Sequence, residues 1–164
     1  MKTIKIFTVI MLLFASLANA QHMETIQVTG AIKEPFTVTE KSLSGLPVHS
    51  LDSLVILNHA MEYKSTLRKL KGVLLKDILA KAQFKTASPK ELSTFYLICK
   101  AKDGYQVVYS WNELFNGETG NKTMIITQAE GSPKEGFALV TPTDWATGRR
   151  YVKNLSEIII QQIY

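Results

Sequence analysis

Apolar and polar positions alternate over Glu24 to Gly30, where Ile26 and Val28 are set among polar neighbours. That period of two predicts a strand with one face to the core, ending at Gly30. Thr39 reads as the N-cap of a short helix through Leu43, closed by Gly45 and Pro47. Leu51 to Leu57 reads as the next strand. Met61 to Lys71 is polar and basic, with Leu67 and Leu70 its main apolar residues, and fits either a hairpin arm or a loop. After Gly72 the period changes. Leu75, Ile78, Leu79 and Ala82 recur at helical spacing, predicting a helix over about Leu74 to Ala82. Ser88-Pro89 marks a loop.

The second half is richer in strands. Thr94 to Ala101 and Tyr105 to Tyr109 flank Lys102-Asp103-Gly104, a hairpin signal because Asp-Gly tolerates the dihedrals of a tight turn. Ser110 and Glu113 form a capping-box pattern opening a short helix that Gly117 ends. Lys122 to Gln128, Phe137 to Thr141 and Ser156 to Tyr164 read as strands, with a turn at Gly131-Ser132-Pro133. Many strands and short helices, without regular strand–helix alternation or internal repeats, predict an α+β domain of mixed β-sheets.

The first twenty residues read differently. Lys2 and Lys5 precede the apolar stretch Phe7 to Leu17, and Ala18-Asn19-Ala20 gives a small-x-small cleavage pattern. The expectation is a signal peptide over residues 1–20 and a single domain over 21–164, periplasmic or secreted. No segment of the mature chain is long and apolar enough to span a membrane. No twin arginine precedes the apolar stretch, so export in an unfolded state is expected. The whole chain has 19 Lys and Arg against 14 Asp and Glu. Losing Lys2 and Lys5 leaves 17 against 14, a net charge of +3. That is too mild for a nucleic-acid binder.

Candidate chemistry is sparse. One cysteine, Cys99, excludes a disulfide framework. It lies mid-strand with Phe95 and Leu97 on its face, where a thiol acts as a small hydrophobe. His22, His49 and His59 are scattered without metal-site spacing, and Asn58-His59 sits where a strand ends. No phosphate loop, dinucleotide fingerprint or nucleophile elbow occurs. Asn121-Lys122-Thr123 and Asn154-Leu155-Ser156 match the glycosylation pattern. The segment Thr141 to Lys153 concentrates Trp145, Arg149, Arg150 and Lys153 before the last strand. Arginine's planar fork suits phosphate or carboxylate, so this segment is a candidate anion site.

Four segments in order resemble the sulfite-oxidase-type molybdopterin-binding domain in its short exported versions. They are Val28-Thr29-Gly30 with Phe36 to Thr39, Leu43 and Leu46-Pro47; Lys71 to Leu79, like a Gly-Val-x-Leu-x-Asp-x-Leu helix entry; Ala101 to Tyr105, like an Asp-Gly-Tyr hairpin; and Pro142 with Gly148 to Leu155 and Ile158. The resemblance implies a sulfite-oxidase-like fold and a site face made of Asn58, His59, Asp103, Tyr105, Trp145, Arg149, Arg150 and Lys153. It also implies molybdopterin as the family cofactor, held by a cysteine thiolate at the end of the strand preceding the Gly-Val helix. That strand ends here at Asn58-His59, without a cysteine, and Leu70-Lys71 replaces the family's tryptophan before Gly-Val. Unfolded export also conflicts with cofactor insertion before export. The expectation is therefore a non-catalytic relative with no resident cofactor that binds a small anionic ligand or an envelope protein. Two other readings stand beside it. One is a periplasmic molybdopterin-dependent oxidoreductase with His59 or Asn58 as an atypical metal ligand. The other is an interaction module docking on an acidic partner through the arm Lys64, Arg68, Lys69 and Lys71.

Overall fold

The computed structural model describes residues 24–130 and 136–163. The expected signal, its cleavage site, His22 and the turn at Gly131-Ser132-Pro133 lie outside them. Among the described residues nine strands form two sheets, with short helices between. The strands are β1 (Thr25–Gly30), β2 (Phe36–Thr39), β3 (His49–Leu57), β4 (Tyr63–Leu74), β5 (Phe95–Ala101), β6 (Gln106–Ser110), β7 (Met124–Glu130), β8 (Ala138–Val140) and β9 (Leu155–Gln162). The α-helices are α1 (Glu40–Leu43), α2 (Leu75–Leu79) and α3 (Trp111–Phe115); 3₁₀ turns cover Pro89–Thr94, Glu118–Asn121 and Thr147–Arg150. This is the α+β class expected from the pattern. Among the described residues no helix is long and apolar enough to cross a membrane.

The five-stranded sheet runs β2-β1-β9-β5-β6 and the four-stranded sheet β3-β4-β7-β8. Among the described strands only β1 and β9 pair in parallel, Gln27 opposite Glu157 and Gly30 opposite Ile160; the other pairings are antiparallel. The main core draws on both sheets: Ile26, Val28, Leu97, Cys99, Ile158 and Ile160 from the first, Val73, Ile125 and Leu139 from the second. Leu54, Ile56, Leu70, Leu74, Met124, Ile126 and Val140 form a smaller core on the four-stranded sheet.

Local chemistry accounts for the element ends. The Thr39 side chain accepts from the Ser42 N–H at 3.2 Å, and the Thr39 N–H donates to Ser42 Oγ at 2.8 Å, closing the start of α1. Ser110 and Glu113 do the same for α3, at 3.1 and 2.9 Å. The segment Met61–Lys71 resolves as most of β4, a twelve-residue strand whose pairing shifts between Arg68 and Gly72, with Lys69 at φ +47°. Those bulges break the two-residue period that would have marked a strand. The helix expected over Leu74 to Ala82 is α2, ending at Leu79, because the chain must then turn so that Phe84 can bridge to Ile32.

Candidate functional site

The 3₁₀ turn Thr147–Arg150 packs on the end of β3 and organises the predicted site. The Thr147 hydroxyl donates to the Val55 carbonyl at 2.7 Å and accepts from the Leu57 N–H at 2.9 Å. It thereby satisfies the outer edge of a strand that has no neighbour on that side. Gly148 follows because nothing larger fits: a Cβ there would stand 2.6 Å from the Leu57 carbonyl oxygen. On the other flank the Tyr105 hydroxyl donates to the Arg149 carbonyl. Tyr105 is itself set by the β5–β6 turn, where its N–H donates to Asp103 Oδ1 at 2.9 Å. The strand end before Asn58, the Asp103–Tyr105 hairpin and the turn bearing Arg149 and Arg150 thus meet.

Their functional groups are differently disposed from that expectation. The Asn58 amide is occupied by its own hairpin. Its Oδ1 accepts from the Ala60 and Glu62 N–H groups, both at 2.9 Å, and its Nδ2 donates to Glu62 Oε2 at 2.7 Å. That arrangement lets Met61 sit at φ +63° in the turn. His59 is exposed at the same turn. Among the described residues no group of three or more His, Cys, Asp or Glu could hold a metal.

Arg150 is not the open anion grip that its sequence context predicts. Its Nε and Nη2 donate to the two carboxylate oxygens of Asp144, at 2.7 and 2.5 Å, and Nη1 donates to Glu113 Oε1 at 3.0 Å. The guanidinium lies 4.5 Å above the ring of Tyr109, whose hydroxyl shares a 2.6 Å hydrogen bond with Thr141. Bidentate pairing with Asp144 holds Arg150 firmly protonated despite partial burial. Burial pushes the Glu113 carboxyl up, but hydrogen bonds from the Ser110 N–H and from Arg150, with the charge of Arg150, outweigh it and lower its pKa. Two carboxylates therefore take three of the five N–H donors of Arg150 and more than balance its charge, which leaves it a poor grip for a further anion. Glu113 and Tyr109 were absent from the sequence-derived site, and Thr141, Asp144 and Thr147 lay in the candidate segment without being named as site residues. Glu113 was visible only as a helix cap, and nothing in the local pattern ties Asp144 to Arg150 across the Gly148 turn.

Arg149 and Trp145 remain outside that network. Arg149 is exposed, and Trp145 is 86% exposed. Tyr105 at 43%, Met61 at 51% and Tyr63 at 65% are other large apolar groups on the adjoining hairpins that face solvent. Lys153 separates from this group. Its Nζ lies 5.2 Å from the Tyr151 ring centroid, and it lines a cleft of about 890 Å³ that also takes in Val48, at the opposite end of β3 from the turn.

The residues present do not fit molybdopterin. The resemblance puts the family's thiolate at the strand end Asn58-His59, where Asn58 is a neutral amide already making three side-chain hydrogen bonds within its hairpin and His59 is exposed. Cys99 is fully buried mid-strand in β5, paired with Val107 and Ile158, and burial pushes its thiol up to about 12. A metal-ligating thiol needs the thiolate form and access, and Cys99 has neither.

No protein-family model matches the chain, and no curated protein matches it. Among solved structures it is similar to the sulfane dehydrogenase SoxCD from Paracoccus pantotrophus, with a TM-score of 0.62 at 16% identity. The match covers 83% of this chain and 37% of the other, so the chain spans well under half the length of that neighbour and shares its fold over that part.

Proposed function

We propose that the chain is an exported, non-catalytic relative of the molybdopterin-binding oxidoreductase domain that docks a protein partner through the surface around Trp145. The carrying observation is the exposure of Trp145, two residues before a turn that bears the exposed Arg149 and is pinned at three points, by Thr147, Tyr105 and Arg150. Tryptophan, tyrosine and arginine are the residue types that dominate binding hot spots, and a preorganised turn lowers the ordering cost of association. The small-anion reading is weaker at this face, because Arg150 already holds two carboxylates. The basic-arm reading is weaker too. Lys64 and Lys69 already face Glu62 and Glu130, at 3.9 and 3.2 Å, and such exposed pairs contribute little. The resemblance to the sulfite-oxidase type and the likeness to SoxCD support the same scaffold. The missing thiolate supports a role without the metal.

The test joins two measurements on protein taken from its own source. Metal and pterin analysis should find neither molybdenum nor pterin at stoichiometric level; finding both would restore the oxidoreductase reading. A photo-crosslinker at position 145 should give one discrete protein adduct, lost in Arg149→Glu. A smear of adducts indifferent to Arg149 would overturn the docking role.

A further inference from the structure

Leu97, Cys99, Ile158 and Ile160 turn one face of the five-stranded sheet to the core. The residues that alternate with them point to the other face. There the register sets side chains in rows across the sheet. Thr29, Ile159, Ile98 and Val108 stand in one row, on β1, β9, β5 and β6. Ile159 and Ile98 are half-buried, and Val108 is 53% exposed. The outward positions of an antiparallel sheet are usually polar, so an apolar row through the middle of this face is out of place in water.

The rows on either side are polar and paired. In one, Lys100 of β5 meets Glu157 of β9 at 3.3 Å, with side chains 40 and 41% exposed. In the other, the Tyr96 hydroxyl of β5 donates to Gln161 Oε1 of β9. Both pairs straddle the seam between β5 and β9. A second copy turned over about a two-fold axis above that seam, along the strands, sets its β9 against β5 and its β5 against β9. Such a rotation moves no residue along the strand direction, so each row meets its own image. Lys100 then faces the copy's Glu157, Ile98 its Ile159 and Tyr96 its Gln161. Two lysines and two glutamates alternate around the axis, with no like charges opposed. The face is complementary to itself, as a two-fold contact requires. Five strands about 4.8 Å apart, with β5 rising about 3.3 Å at each of its seven residues, outline about 500 Å² per copy. Two copies would cover about 1,000 Å², the floor for a specific interface.

We infer that a second copy of this chain docks on the outer face of the five-stranded sheet, forming a weak two-fold dimer, sheet against sheet, with Lys100 of each copy on Glu157 of the other. This is independent of the docking surface around Trp145, Arg149 and Tyr105, none of which stands in these rows.

Sedimentation of the full mature protein over a concentration series tests it and should show a reversible monomer–dimer equilibrium. Lys100→Glu and Glu157→Lys each set like charges across the axis, so each variant alone should dimerise at least about tenfold more weakly. Mixed in equal amounts, the two should form a heterodimer at least as tightly as the wild type, because the acidic face of one meets the basic face of the other. The pair within each chain stays broken in that mixture, so only contact between chains can restore binding. Val108→Asp, a change at an exposed position, should abolish the dimer, and Trp145→Ala should leave it unchanged. Circular dichroism melts would verify that the variants fold. The proposal fails if the wild type stays monomeric at millimolar concentration, if either charge variant alone dimerises as tightly, if the mixed variants stay apart, or if folded Val108→Asp dimerises like the wild type. A dimer lost in Trp145→Ala but kept in Val108→Asp would place the contact elsewhere and overturn it.

Discussion

Arg150 and Cys99 show how far a residue's chemistry depends on neighbours that the linear chain does not display. Arg150 is 20% and Asp144 17% exposed, so their pair is shielded enough for removal of the cation to leave an ill-solvated carboxylate. Arg150→Met should cost about 2 kcal/mol in urea unfolding, and Arg150→Lys should recover only part, because an ammonium cannot reproduce the fork. The same pair of measurements against pH tests Glu113. Its folded pKa lies below its unfolded value, so its contribution is present above the unfolded pKa of about 4 and fades as pH falls through the folded one. Wild-type stability should decline on that acid limb, and in Arg150→Met the decline should be shallower. Cys99, with its thiol raised to about 12, should react with a thiol dye only at the rate the chain unfolds. Labelling of the native state faster than unfolding would show that β5 opens locally. Cys99 was legible as a core residue from Phe95 and Leu97 on its face. Arg150 was picked out as a candidate anion grip, but its engagement by Glu113 could not be read, since that residue lies 37 positions away.

Among the elements, capped helices and the Asp-Gly hairpin were readable because their signals lie within a few residues. Thr39, Ser110 and Asp103 each bond to a group two or three positions on. Strand β4 was ambiguous for the opposite reason: its shifts in register near Lys69 and Lys71 arise in its pairing with β7, not in its own sequence. The turn Thr147–Arg150 has the same character. Gly148→Ala would push a methyl against the Leu57 carbonyl and lift the turn from β3. Hydrogen exchange at the Leu57 amide, held by Thr147, should then accelerate at least tenfold, the change expected from about 1.4 kcal/mol of lost local protection. Trp145→Ala should alter neither that exchange nor global stability by more than about 0.5 kcal/mol, because its side chain is almost wholly in water. A large loss of stability in Trp145→Ala would mean that the indole packs on the protein rather than awaiting a partner.

Across the whole molecule, the class of fold and seven of the nine described strands could be read in advance, whereas β2, the choice between arm and loop at β4, and the partition into two sheets could not. Nothing in Gln27 or Glu157 announces that they lie side by side, since 130 residues separate them. The resemblance to the molybdopterin-binding domain supplied the outline of the site face, and the side-chain network then divided it. The hairpin, the strand end and the basic turn stay together, while Lys153 belongs to the cleft. Deletion of Leu155–Gln162 should abolish cooperative unfolding altogether, because Leu155, Ile158 and Ile160 are at most 1% exposed and β9 joins β1 to β5. Retention of a cooperative melt by the truncated chain would refute a single shared core.

The parallel pairing of β1 with β9 also governs when the protein can exist. The first strand of the domain waits beside an empty position until the last one arrives, and only then does the five-stranded sheet become continuous. Until β9 pairs, β1–β2 and β5–β6 are two separate ribbons, and that one strand seals the fold.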